Sequence, residues 1–532
     1  MTDATAPTAR GIDVTSDAAR ARIRKRYRAE ARFRFYGLAA IALTALFVAV
    51  VLVDILIKGL PAFTQHELML PVKLDAAEID PNGTRDPAII RAADFQLLVR
   101  NALRAEFPNV TGRAERRSLD GLLSSGASDA LRARVAADPA LIGRTVTVPV
   151  LLSDDADLYL KGTGTRIARV SGRGVATVDG TAGEVRLQSS ADDFAALIAG
   201  IEASRPAGGK ALSGALPSLL MAINGGVVKV VEIDGKDIRG EVLLPLTSAG
   251  AAQPGSWHVV TYLTPESNRR ASDREVTWLE SLREKGLVRS AFNWRFFTAG
   301  DSREAELAGI RGALVGSALT LFVTLVLCLP LGVAGAIYLE EFAPKNWATE
   351  IIEININNLA AVPSIVFGLL GLAVFLGFLG LPRSAPLVGG LVLALLVLPT
   401  IIIASRAALK AVPPSIREAA LGVGASHQQA IFHHVLPLAM PGIMTGAIIG
   451  MAHALGETAP LLMIGMVAFI VEPATSITDA ATVLPVQIYL WSDLPEIAFQ
   501  AKTAAAIIVL LLFLFVMNGM AIYLRKRFER RW

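Results

Sequence analysis

Long apolar runs dominate two regions of the chain, and a long stretch of mixed pattern separates them. Six runs reach the length of about 20 mostly apolar residues that a helix needs to cross hydrocarbon. They cover residues 35–57, 311–338, 356–380, 386–405, 441–470 and 501–524. Gly and Pro recur inside them, which spanning helices tolerate better than soluble ones do. Residues 58–305 read differently. Stretches 145–152, 174–187 and 227–244 are rich in β-branched residues and are punctuated by Asp179-Gly180 and Asp234-Gly235, so they predict strands and turns. Stretches 92–106 and 192–203 predict helices, the second opened by acidic residues. The Ala/Gly-rich 204–216 reads as a loop, and no internal repeat is visible. The pattern therefore predicts an α-helical polytopic membrane protein with six transmembrane helices and an inserted α/β domain. Its segments are a basic tail (1–34), a first span (35–57), the insert (58–305), a five-span domain (306–524) and a second basic tail (525–532).

Composition agrees: 53% of the 532 residues are hydrophobic and the mean hydropathy is +0.50. The net charge of +4, without a basic stripe interleaved with aromatics, speaks against nucleic-acid binding. The single cysteine, Cys328, lies in an apolar run and excludes an intrachain disulfide or a CxxC site. The first run is too long for a signal-peptide core and lacks a cleavage pattern, so it reads as an uncleaved anchor. Charge sets the orientation. Arg10, Arg20, Arg22, Arg24, Lys25, Arg26, Arg28, Arg32 and Arg34 precede it, and Arg525, Lys526, Arg527, Arg530 and Arg531 close the chain. Residues 471–500 carry no Lys or Arg but hold Glu472, Asp479, Asp493 and Glu496. The positive-inside rule then puts both termini and 406–440 in the cytoplasm, and 58–305 and 471–500 outside.

Enzyme signatures are missing. There is no H-E-x-x-H, no G-x-S-x-G and no Walker motif; Gly208-Gly209-Lys210 lacks the upstream Gly of a P-loop. No metal or cofactor set emerges. The chemistry instead sits in the spans. His453 and Glu457 are four apart in the fifth run, share a helix face and can pair; ionisable groups at that depth are functional suspects by default. Pro460 cannot donate to the Gly456 carbonyl and is expected to kink the helix there. A polar clamp between helices is the competing reading of this pair. Arg406 ends the fourth run, where it either attracts an anion or snorkels to headgroups. Glu340, Glu341, Glu350 and Glu353 read as a solvated interfacial helix.

Between the fourth and fifth runs the chain reads Arg417-Glu418-Ala419-Ala420-Leu421-Gly422-Val423-Gly424, then, after residues 425–435, Leu436-Pro437. Small residues let such a helix lie closely in a partner's groove, Glu418 offers a charge, and Gly424 permits a turn. This string resembles the EAA loop of ABC importer permeases, with His434 standing at a usually apolar position. Gly456-Glu457-Thr458-Ala459-Pro460-Leu461-Leu462 is similar to the corresponding segment of the PstA family of phosphate permeases, with His453 where an Arg is usual. Val362-Pro363-Ser364-Ile365 is similar to that family's third-span string. Leu409 stands where the family often pairs a Glu with Arg406. The resemblance covers about 306–524 and the first span. It implies a type I ABC importer permease fold in the bacterial inner membrane. Glu418, Ala419, Ala420, Gly424, Leu436 and Pro437 would couple to an ATPase; Arg406, His453, Gly456, Glu457, Thr458 and Pro460 would line or gate the path. It also implies a second permease (PstC-like), an ATPase dimer (PstB-like) and a periplasmic phosphate-binding protein (PstS-like). The insert is expected to contact the binding protein or the sister permease. Another oxyanion (sulfate, molybdate or phosphonate) is the alternative cargo. A membrane-anchored sensor is disfavoured by six spans and short cytoplasmic segments.

Overall fold

The computed structural model describes residues 17–163, 167–190, 211–212, 214–234 and 237–528. The expected helix 192–203, most of the loop 204–216 and the Gly235 half of the second turn lie outside the described residues. The chain divides into two compact units, 1–58 and 59–532. The described residues of the first form one helix, α1 (Asp17–Gly59), of 43 residues. The stretch from Arg20 to Arg34, expected as a tail, is thus helical. Arg, Ala and Lys favour helix, and nothing between Asp17 and the span breaks it.

In the second unit the insert has a helical lobe and a sheet lobe. Strand β1 (Thr64–Lys73) is followed by helices α2 (Phe95–Glu106) and α3 (Arg113–Asp120) and by strand β2 (Thr145–Leu151). The Asp94 carboxylate accepts from the Leu97 amide at 3.0 Å and so fixes where α2 begins. Strands β3 (Ile167–Ser171), β4 (Ala176–Val178), β5 (Glu184–Ser189), β6 (Ser218–Ile223), β7 (Gly226–Asp234), β8 (Asp237–Leu244), β9 (Gly250–Ala252) and β10 (His258–Tyr262) come next. Helix α4 (Asp273–Glu284), opened by a Ser272/Glu275 capping box, and strand β11 (Val288–Phe292) complete the insert. One antiparallel sheet runs β11-β1-β2 and the other β3-β10-β6-β7-β8-β5-β4-β9. Alternate residues Leu68, Leu70 and Val72 of β1, with Val148 and Val150 of β2, face Phe95, Leu98, Leu103 and Trp278 in one core. The expected strand 174–187 is two strands, because Asp179-Gly180 turns the chain.

The permease half includes helices α5 (Arg311–Ile337), α6 (Trp347–Ala360), α7 (Ser364–Leu370), α8 (Pro386–Lys410), α9 (Pro414–Gly422), α10 (Leu436–Gly456), α11 (Ala459–Met463), α12 (Leu484–Ser492) and α13 (Ile497–Phe528). Among the described residues, five helical stretches are long and apolar enough to cross a membrane: Arg20–Phe63, Arg311–Phe342, Pro386–Lys410, His427–Gly456 and Ile497–Arg527. The third expected run is not one straight span. Trp347–Ala360 and Ser364–Phe378 meet at 103°. Pro363 has no N–H to continue the ladder and disfavours α conformation at Val362, so the helix stops and restarts. The fifth expected run is shortened likewise: α10 ends at Gly456, and most of 464–470 is not helical.

Helices α5, α8 and α10 pack side by side. On α10, Gly442, Gly446 and Gly450 repeat every fourth residue and press against Ala408, Ala404 and Val397 of α8, leaving no room for a methyl. Such small-residue stripes let spanning helices approach closely where lipid supplies no hydrophobic drive between them. A further core of Ala62, Phe296, Ile310, Leu484, Trp491 and Phe499 joins the base of the insert to α12 and α13.

Candidate functional site

Two interrupted helices meet within the permease half. At the end of α10, Glu457 has extended backbone (φ −75°, ψ 121°), and Thr458 precedes the short α11. Pro460 lies in the first turn of α11, where a missing N–H costs nothing. The expected kink at Gly456 is therefore a full break, and Pro460 starts the new helix instead of bending the old one. On the facing element, Gly368 of α7 lies against the Pro460 backbone and Met463, again too close for a side chain. The restart after Pro363 and the restart after Thr458 thus pack together. The apolar pattern reads each as part of a continuous span and does not reveal this junction. Pro363 after Val362 and Pro460 after Thr458-Ala459 are the signal that would have found it.

Across the break, His453 Nε2 and Glu457 Oε1 are 2.7 Å apart, the pairing expected from their spacing. The His453 side chain is 59% exposed and Glu457 17%. The ring therefore stands on an open face of this chain, with Gly456 beside it, while Met451, Ala454 and Leu455 turn into the core. Pro460 is buried and Thr458 half-buried.

Arg406 is placed differently from either expectation. Its Nη2 lies 2.7 Å from Glu353 Oε1 of α6, and its Nε 3.5 Å from Glu340 Oε2. It neither stands free for an anion nor snorkels. The carboxylate missing at Leu409, which is buried, is supplied from two other elements. Glu340 and Glu341 lie in a π turn, Tyr338–Phe342, that ends α5, and both are enclosed. The solvated interfacial helix expected for them is therefore corrected: each is drawn in by a cation of α8 or α9.

The EAA-like string forms α9 and the turn after it. Gly424 has φ +91°, a left-handed conformation that suits glycine. Its amide donates to Leu421 O at 3.0 Å, and the Ala425 amide to Ala420 O at 3.1 Å, the Schellman pattern that closes a helix. Ala420 is buried, whereas Glu418 and Ala419 are exposed beside Leu421 and Val423, the latter 86% exposed. Arg417, a residue not singled out from sequence, anchors this platform. Its Nη2 reaches Glu341 Oε1 at 2.6 Å, its Nε both Glu341 oxygens at 3.2 Å, and its remaining N–H groups donate to Leu409 O and Val412 O. His427 Nε2 lies 3.0 Å from Glu341 O, and its ring meets Phe342 edge-on. The departure at His434 resolves locally. A π turn over Ile431–Val435 adds a residue before α10, so His434 faces outward and Val435 takes the buried position. Leu436 and Pro437 then begin α10, half-buried.

An exposed, clamped loop carrying E-A-A, joined to broken membrane helices, defines a binding-protein-dependent importer permease. Comparison with known proteins agrees. Residues 329–530 match the family "Binding-protein-dependent transport system inner membrane component", and residues 20–169 match a domain of unknown function, DUF3333. The probable ABC transporter permease YqgI of Bacillus subtilis is 36% identical over 32% of this chain and 58% of its own length. YqgH of the same organism is matched over 52% of its length, so the chain spans little more than half of these two relatives. Phosphate transport system permease protein PstA 1 of Mycobacterium tuberculosis is 32% identical over 45% of this chain and 77% of its own. PstA of Yersinia pestis is 31% identical over 41% and 74%. Among solved structures, the MetNI methionine ABC transporter aligns over 42% of this chain and 95% of its own, at 17% identity and a TM-score of 0.33. The chain belongs to the PstA family of inner-membrane permeases. It is a multi-pass membrane protein.

Proposed function

We propose that this chain is one permease half of an ATP-driven importer of inorganic phosphate. The observation that carries the cargo assignment is the relation to PstA permeases along more than two thirds of their length. The geometry supports a path at the junction of the two breaks. Backbone that leaves the helical ladder at membrane depth is tolerated only where protein buries it or a cavity hydrates it. His453 and Glu457 sit there on an open face, which a second, PstC-like permease would close. Paired with His453, Glu457 repels an incoming anion less than a bare carboxylate would. Glu418, Ala419 and the exposed Leu421 and Val423 form the surface on which a PstB-like ATPase dimer would dock. The Arg417–Glu341 clamp would pass its motion to α5 and α8. A PstS-like binding protein would deliver phosphate on the side of the insert, which the charge pattern makes periplasmic, with both termini cytoplasmic.

The test is uptake of radiolabelled phosphate at micromolar concentration in cells carrying the intact chain or Glu418→Lys. Uptake is expected to require the chain and to fall to background in the variant while the protein still reaches the membrane. Uptake that does not depend on the chain would overturn the phosphate assignment. Sulfate or molybdate uptake that does depend on it would identify the cargo instead.

A further inference from the structure

The insert carries a concentration of positive charge that plays no part in the permease junction. Helix α2 sets Gln96, Arg100 and Arg104 four residues apart along one face, and α3 contributes Arg113, Arg116 and Arg117. These side chains line one open cavity of about 830 Å3, together with Asp120 and Ser125. Five guanidinium groups thus face a cavity that holds one carboxylate. That carboxylate is already taken: Arg104 grips Asp120 through Nε to Oδ1 at 3.0 Å and Nη2 to Oδ2 at 2.5 Å. Arg116 Nε donates to Val110 O at 3.1 Å. Arg100, Arg113 and Arg117 have no hydrogen-bond or ion-pair partner among the described residues. The other acid of α3, Glu115, is turned away and held by Arg274 of α4.

Like charges three and four residues apart weaken a helix, and α3 alone carries three arginines in eight positions. An anion in the cavity relieves that repulsion. The planar guanidinium fork fits a tetrahedral oxyanion with two parallel N–H bonds, a match that an ammonium or a monatomic anion does not offer. We propose that this cavity is a binding site for phosphate-class oxyanions, free or as a lipid headgroup. The site lies in the insert and goes beyond the transport reading: it requires neither import nor any particular cargo.

The experiment is calorimetric titration of inorganic phosphate and pyrophosphate into the purified full chain in zwitterionic nanodiscs, beside R113A/R117A. Both side chains are exposed and unpartnered, so the variant should melt as the wild type does. Affinity is expected to drop by about tenfold or more in the variant. A repeat in nanodiscs containing phosphatidylglycerol separates the sources. If that lipid competes with phosphate through the same two arginines, the headgroup is the resident ligand; if it does not, a free oxyanion is. Binding that is unchanged in R113A/R117A would overturn the proposal. So would wild-type protein that binds neither probe saturably and shows no arginine-dependent lipid effect. Binding is read on the purified chain, so a failure of phosphate import would leave this result standing.

Discussion

Arg417 places every arm of its guanidinium on a fixed acceptor, and its partner Glu341 is only 6% exposed. Removing one member of such a pair strands the other. Arg417→Ala is expected to cost about 3 kcal/mol and to abolish uptake, whereas Arg417→Ala/Glu341→Ala should recover part of the stability. Thermal unfolding in detergent, read for both singles and the double, checks this; additive losses would show that the two side chains do not act as a pair. A second buried cluster belongs to the insert. Burial opposes ionisation of Asp273, but Lys229, at 2.7 Å, and Arg269 hold its carboxyl below the ordinary carboxylate range. A depressed value means that this contribution is complete above the unfolded pKa of about 3.9 and is lost as pH falls through the lower folded value. Asp273→Asn should therefore lower the melting temperature at pH 7, followed by tryptophan fluorescence, and the difference from wild type should shrink on acidification. Neither cluster was legible in sequence. Glu341 and Arg417, like Lys229 and Asp273, are separated by many residues, and only the fold brings each pair together. His453 and Glu457 were legible because a helix fixes the distance between residues four apart.

At the scale of elements, hydropathy located the spans and misjudged their continuity. A run of apolar residues looks the same whether its backbone ladder is whole or broken. The breaks at Pro363 and at Glu457-Thr458 depend on which carbonyls a neighbouring element shields, and here α7 and α11 shield each other. Strands were anticipated at 145–152, 174–187 and 227–244, where β-branched residues cluster, whereas β1, β3, β6, β9, β10 and β11 were not. The helix α2 was anticipated to within three residues; the cap at Asp94, which sets its true start, was not used. The EAA-like turn was anticipated closely, since Gly424 is needed for a left-handed φ and the motif states it outright. The glycine stripe of α10 invites its own test. Gly446→Leu forces a branched side chain against Ala404 and is expected to destabilise the α8–α10 contact by about 1–3 kcal/mol. Ala404→Gly on the facing helix should restore some of that loss. A leucine variant that melts as the wild type does would mean the two helices are not held by close packing.

For the whole molecule, the insert and the permease half share a core at Phe296, Trp491 and Phe499, sealed by Lys502, whose ammonium donates to the Ala308 carbonyl. The insert is seated, not tethered. Replacing residues 64–292 by a short turn is expected to weaken phosphate uptake several-fold while leaving a membrane-inserted chain. Unchanged uptake, together with unchanged recovery of the sister subunit, would show that the insert contributes to neither. Composition alone separates the insert from the permease half but does not reveal its two sheets, since strand order depends on pairings between distant segments.

The insert's two ends lie side by side. Thr64 opposite Phe292 and Leu68 opposite Val288 zip the incoming and outgoing strands into one ribbon. A module connected in this way can be acquired or discarded by a lineage in a single genetic event, because the surrounding helices feel only a hairpin lengthened or shortened. Relatives without the module and relatives with it can therefore share one transport core, and the module is free to evolve a recognition task of its own.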